Sequence, residues 1–225
     1  ALEETIAAYP PGQFGTFLTN HDQPRVATEL GGDIGRARVA ATILLTAPGA
    51  PFIYYGEEIG MMGTKPDERI RTPMAWDASE PAAGFSDAAP WQPLADGLAG
   101  ANVAAQRDDP ASLLAQYRDL VRVRAASPAL RSPDALVLPS TEESVLVVVR
   151  RAEAETVLVL ANVGDRPVSG AAIDLSVALP CGATVAGVEV LLGDADVTPP
   201  AGDLTAWVPV ESLDAHESVV VRLTP

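Results

Sequence analysis

The spacing of apolar residues changes character once along this chain, and that change limits the fold more than any other feature. Before it, two short β-prone runs, Gln13 to Leu18 and Pro51 to Tyr55, are each followed by a segment with helical spacing. After about Asp134 only short strands parted by turn residues remain, namely Ser144 to Arg150, Thr156 to Asn162, Val185 to Leu192 and Ser218 to Leu223. The first half therefore predicts strand-helix units of an α/β sheet, and the second an antiparallel sandwich. Ala1 to Ala8 reads as the tail of a helix halted by Tyr9-Pro10-Pro11. Asp33 can cap a helix carrying Ile34, Ala37, Arg38, Ala41, Ile43 and Leu45, ended by Pro48-Gly49. Pro51 to Tyr55 has the aromatic and β-branched content of a strand buried on both faces. Ser112 to Ala126 is a further helix, with Arg118, Arg122 and Arg124 toward the end that favours cations, stopped by Ser127-Pro128. Between Gly60 and Pro110 the sequence is rich in Gly and Pro and too long for an ordinary connection, which predicts a functional loop.

Composition narrows the partners. Thirty acidic against fifteen basic residues give a formal charge of −15, which argues against binding to nucleic acid phosphates and leaves a neutral polysaccharide, or solubility alone, to account for the surface. Cys181 is the only cysteine, so no internal disulfide or thiolate zinc site is expected, and a small, mostly apolar role is assigned to it. No metal or cofactor is expected. The longest apolar run, Val39 to Leu45, is too short to span a bilayer, so no membrane partner is expected either. The first residues, Ala1-Leu2-Glu3-Glu4, contain neither an initiator Met nor a leader pattern, which predicts that the natural amino terminus lies upstream and leaves cellular location open.

The first β-prone run ends in Asn20-His21-Asp22, three polar side chains able to grip vicinal hydroxyls, and Gln23-Pro24 stops it at once. Phe17-Leu18-Thr19-Asn20-His21-Asp22 resembles the last signature region of the α-amylase family, glycoside hydrolase family 13. The resemblance continues through Gln23-Pro24-Arg25, Pro51-Phe52-Ile53-Tyr54-Tyr55-Gly56-Glu57-Glu58-Ile59-Gly60 and Arg71-Thr72-Pro73-Met74-Ala75-Trp76. Asn102-Val103-Ala104-Ala105-Gln106 and Ser112 to Leu130 look like the α-glucosidase and oligo-1,6-glucosidase branch. It covers residues 10 to 131 strongly and the remainder only by general character. The fold it implies is the last two strand-helix units of a (β/α)8 TIM barrel, residues 1–131, followed by a carboxyl-terminal antiparallel β-sandwich, residues 132–225. Gln13 to Asn20 would be barrel strand seven, Pro51 to Tyr55 strand eight, and Ser112 to Ala126 the last barrel helix.

The resemblance also assigns roles. Asp22 matches the third catalytic carboxylate, which grips the C2 and C3 hydroxyls of the sugar at the cleavage subsite and stabilises the transition state; it does not attack. His21 and Asn20 would contact or orient the same hydroxyls, against the simpler reading of a polar strand terminus capping a turn. Arg71 matches an arginine that holds the non-reducing-end glucose, against a surface salt bridge to Asp67 or Glu68. Arg25 is read as a sugar contact or as a loop anchor. Trp76 and Trp91 could stack on pyranose rings or pack in a core.

Adjacent on an extended segment, Glu57 and Glu58 would point to opposite faces, so a buried hydrogen-bonding role for one of them is expected. No stretch matches the family's nucleophile or acid/base regions, since Arg107-Asp108-Asp109 and Arg118-Asp119 lack their surroundings. Alone, the chain is therefore expected to be inactive, with the amino-terminal half of the barrel as partner and an α-gluco-oligosaccharide as substrate. The alternatives are a non-catalytic carbohydrate-binding or scaffolding fragment, a split protein completed by a separate chain, and the transglycosylating, trehalose-synthase-like branch of the family.

Overall fold

The computed structural model describes residues 2–180, 183–200 and 202–224; Cys181 and the role read for it lie outside them. The first elements are α1 (Leu2–Ala8), β1 (Gly15–Thr16), α2 (Val26–Glu29), α3 (Ile34–Thr46) and β2 (Ala50–Pro51). A 3-10 turn at Glu57–Ile59 follows, then α4 (Asp67–Ile70), α5 (Val103–Gln106), α6 (Leu113–Ala126) and α7 (Pro128–Arg131). The regular elements that follow are all strands: β3 (Ala135–Leu138), β4 (Val145–Ala152), β5 (Glu155–Asn162), β6 (Val168–Ser169), β7 (Gly187–Leu192), β8 (Ser212–Leu213) and β9 (Ser218–Thr224). By contacts the chain divides into two units, one of Phe17–Leu44 and Pro51–Asp119, the other of Ala1–Thr16, Leu45–Ala50 and Leu120–Pro225. These units interleave along the chain.

In the unit of Phe17–Leu44 and Pro51–Asp119, local chemistry sets the helix ends. Asp33 Oδ1 accepts from Arg36 N at 3.0 Å, Asn102 Oδ1 from Ala105 N at 2.8 Å and Ser112 Oγ from Ala115 N at 3.1 Å, each capping orphan amides of the helix that follows. Gln116 Nε2 donates to Arg38 O at 3.0 Å and Thr42 Oγ1 at 3.1 Å, tying the start of α6 to α3. The long loop folds over a small core of Ile59, Met61, Ala75, Ala83, Ala95 and Leu114. Gln106 fixes it by donating to Ile59 O at 2.9 Å and accepting from Leu114 N at 3.1 Å.

Both expected barrel strands are shorter than the sequence implied, two residues each, and among the described residues they pair only with one another. The side chains after them are open, with Phe52 62% and Ile53 40% exposed, against the expectation of burial on both faces. A parallel strand gains its regular ladder and its burial from neighbours on either side and helices on both faces, and among the described residues each has one neighbour. Ile34 and Val121, read as members of apolar helix faces, also lie at the surface.

The second unit is built on an antiparallel sheet of order β3-β4-β5-β9-β7. Alternation splits its apolar runs between two faces. Val147, Val149, Leu158, Leu160, Val219 and Val221 pack against Ile173, Leu175, Trp207 and Leu213. Val148, Val157, Val159 and Val220 pack with Ala129 and Leu130 of α7. Burial on both sides explains why β4, β5 and β9 read as unbroken Val/Leu runs. The layer opposite α7 has one two-stranded ladder, β6 with β8, and isolated bridges such as Ile173 with Trp207, so it is less regular than the sandwich expected from sequence.

A half-buried arginine, Arg124, and a buried one, Arg150, close the end of α3 within this unit. Arg124 Nη1 donates to Leu45 O and Ala47 O at 2.9 Å each, and its Nη2 to Gly49 O at 2.7 Å; Arg150 donates to the carbonyls of Thr46, Leu130 and Ser132. Carbonyls orphaned at a helix terminus thus become the ligands of the cations. Burial, with Arg124 nearby, pushes Arg150 down to about 10.

Candidate functional site

Asn20, His21 and Asp22 form a tight exposed turn just after β1. Asn20 Oδ1 accepts from Asp22 N at 2.9 Å, and Gln23 N donates to Asn20 O at 3.2 Å, so Asn20 shapes the backbone that presents Asp22. Asp22 keeps 62% of its side chain in solvent, and its Oδ2 lies 3.3 Å from His21 Nε2. The other oxygen, Oδ1, takes Arg71 Nη2 at 2.8 Å across 49 residues of sequence. Arg71 Nε donates to His21 O at 2.9 Å, and its Nη2 also reaches Asp67 Oδ2 at 2.8 Å. The structure thus brings together Asn20, His21, Asp22 and Arg71. The salt bridge to Asp67, the competing reading for Arg71, forms as well. Exposed ion pairs contribute little to stability, so the effect of this one is to fix where two polar heads point.

Arg25 has a different place. It is 2% exposed; its guanidinium lies 4.8 Å from the centre of the Tyr54 ring and 4.7 Å from that of Tyr55, and its Nη1 donates to Tyr55 O at 2.7 Å. Its backbone N donates to Gly63 O at 2.9 Å. Of the two readings, the loop anchor matches this geometry, because a side chain only 2% exposed presents no surface to a sugar. Burial lowers its pKa from the ordinary value.

Glu57 and Glu58 lie on a 3-10 turn between two left-handed glycines, Gly56 and Gly60, instead of on the extended segment expected. A Cβ on Gly56 would strike Met61 Sδ and crowd Arg25 Nη1, so that residue has to be glycine. Glu57 is buried and its Oε1 accepts from Tyr117 O–H at 2.8 Å, the hydrogen-bonding role expected for one of the pair. Burial pushes its pKa up to about 7, only partly offset by that hydrogen bond.

Arg71 also borders a cavity of about 770 Å³ walled by Tyr55, Glu58, Trp76, Phe85 and Trp91. Trp76 and Trp91 were read as platforms or core residues; both are open to solvent, at 51% and 81%. Sequence reasoning missed Phe85, Tyr117 and the pairing of Arg25 with two tyrosines. Only the juxtaposed Tyr54-Tyr55 before a glycine hinted at the last, and nothing in a linear pattern names a partner 30 residues away.

The comparisons with known proteins agree with one another. Residues 2–133 match the model of the alpha-amylase catalytic domain. Alpha-amylase 3 of Dictyoglomus thermophilum is 38% identical over 150 residues, 65% of this chain and 29% of that protein. The oligo-1,6-glucosidase of Parageobacillus thermoglucosidasius is 33% identical over 149 residues, 48% of this chain and 26% of its own. Among solved structures, the trehalulose synthase MutB from Pseudomonas mesoacidophila MX-45 superposes with a TM-score of 0.78 at 25% identity, covering 99% of this chain and 45% of that one. The chain therefore spans less than half the length of each of these proteins. From the matched residues and the shared fold, the chain belongs to the α-amylase family, glycoside hydrolase family 13.

Proposed function

We propose that this chain is the carboxyl-terminal portion of a retaining α-glucoside hydrolase acting on α-linked gluco-oligosaccharides. Residues 1–131 would then be the end of the catalytic barrel and 132–225 its β-sandwich domain. Asp22 is the residue that stabilises the transition state, with His21 and Arg71 as sugar contacts and Asn20 as the residue that orients them. The observation that carries this reading is the Asp22 carboxylate, held between His21 and Arg71 yet 62% exposed, beside an aromatic-walled cavity.

The chemistry follows from charge development. As the glycosidic bond breaks, the ring gains oxocarbenium character and its neighbouring hydroxyls become more acidic. A carboxylate that accepts hydrogen bonds from them holds the transition state more tightly than the ground state, which raises turnover more than affinity. Arg71 offers a planar fork to paired hydroxyls and His21 a ring nitrogen. The bond-breaking pair of carboxyl groups, about 5 Å apart in a retaining enzyme, would come from the amino-terminal half of the barrel. Trp76, Phe85 and Trp91 offer apolar faces suited to the C–H faces of sugar rings.

In the complete enzyme, Asp22→Asn is expected to lower kcat roughly 100- to 1,000-fold with little change in fold. Asparagine keeps an oxygen for Arg71 while losing the charge. Near-normal turnover would refute the role. The 225-residue chain alone is expected not to hydrolyse aryl α-glucosides; activity without the amino-terminal half would overturn the assignment of the nucleophile to that half. The likeness to a trehalulose synthase favours a second reading, in which the same site passes the glucosyl unit to a sugar acceptor in place of water. Product analysis with sucrose and with maltose separates the two.

A further inference from the structure

We infer that Arg25, Tyr54 and Tyr55 form a bracket that sets the position of Arg71 against Asp22, an inference that rests on the reading of that pair as a sugar grip. Two hydroxyls do the bracing. Tyr54 O–H donates to Ile70 O at 3.0 Å and Tyr55 O–H to Thr72 O at 2.6 Å. Those carbonyls belong to the residues on either side of Arg71, so its backbone is held from both flanks. From that fixed stem the guanidinium reaches His21 O and Asp22 Oδ1.

Adjacent residues of an extended strand would send their side chains to opposite faces, and here both rings converge on one target. Arg25 explains the convergence. Its guanidinium lies under both rings, which meet edge to face with centroids 4.8 Å apart, and its Nη1 ties down Tyr55 O. Among the described residues Arg25 Nε and Nη2 are buried without a hydrogen-bond partner, so the two rings, with the Nη1 bond to Tyr55 O and the nearby Glu58 charge, compensate for removing that charge from water. Arg25 therefore cannot leave the rings without a large penalty, and the rings cannot turn away from Arg25. Burial and its tyrosine neighbour raise the Tyr54 hydroxyl to about 12, so it remains a donor at every physiological pH. An exposed arginine pair is otherwise loose, because two long side chains lose entropy in holding one geometry. Fixing the Arg71 backbone lowers that cost and pre-forms the site before sugar arrives.

The test uses isosteric variants of the complete enzyme and the Nε–H of Arg71, followed by nitrogen-15 NMR. Tyr54→Phe and Tyr55→Phe each delete one oxygen and keep the ring over Arg25. In the double variant, Arg71 Nε–H exchange with water is expected to speed up about tenfold, with α6 amide exchange unchanged. Arg25→Lys, which keeps the charge and loses the plane, is expected to do the same. Wild-type exchange in the double variant overturns the bracket, because rings that only pack would leave Arg71 unaffected. Wild-type exchange in Arg25→Lys removes Arg25 from it.

The kinetics of the same double variant separate this inference from the reading beneath it. A KM raised about tenfold for short oligosaccharides supports both. Faster Arg71 exchange with unchanged KM and kcat sustains the bracket and refutes Arg71 as a sugar contact.

Discussion

Glu57→Gln tests the energetics of the site's foundation, and the structure gives its size. Glu57 is 3% exposed, its Oε1 accepts from Tyr117, and its Oε2 has no hydrogen-bond partner among the described residues. One bond is too little to replace the hydration of a carboxylate, so burial raises its pKa from 4.5 to about 7. The folded chain therefore keeps this proton at pH values where the unfolded chain has lost it. Stability falls as pH climbs from about 4.5 to about 7 and is level above, where both states are ionised. At about 1.4 kcal/mol per pH unit, the loss from this group is near 3 kcal/mol.

Glutamine keeps an oxygen for Tyr117 and cannot ionise. The variant should match or fall slightly below the natural protein near pH 5, where the carboxyl is neutral, and exceed it by about 2 to 3 kcal/mol near pH 8. Urea unfolding followed by tryptophan fluorescence reads this as a midpoint raised by roughly 1 M at the higher pH only. Trp76 and Trp91 report from the unit that contains Glu57. A difference between the two proteins that is the same at both pH values would refute the reasoning, since it would mean that Glu57 carries no linked proton.

Two further outcomes concern the β unit. Arg150→Leu should cost about 3 kcal/mol or more in thermal unfolding, because Leu fills the volume while the carbonyls of Thr46, Leu130 and Ser132 lose their donor in a buried place. Leu160→Ala, at a fully buried position on β5, should cost about 2 to 5 kcal/mol in urea unfolding as methylene contacts are lost and a cavity remains.

Much of this protein is legible in its residues alone. Asp33 and Ser112 mark helix starts because a short polar side chain can bond amides three residues on, a purely local event. The apolar runs of β4, β5, β7 and β9 announce strands, whereas the shorter β3, β6 and β8 are not read from the sequence, and the burial of β4, β5 and β9 on both faces comes only with the fold. Asn20-His21-Asp22 shows by residue type that three polar side chains stand together, and the structure sets them in one turn. What the sequence could not supply is which distant groups meet. Whether Arg71 turns to Asp67 or to Asp22 depends on a backbone held by two tyrosines, and it reaches both. Arg25 looks like any loop arginine until Tyr54 and Tyr55 pack on it, and which of Glu57 and Glu58 is the buried, hydrogen-bonded one is decided only when a 3-10 turn sets Glu57 against Tyr117. Local pattern fixes helices, strands and turns because their bonds run between near neighbours; burial, pairing and the charge state of a side chain come from residues far away in sequence, and only the folded chain brings them together.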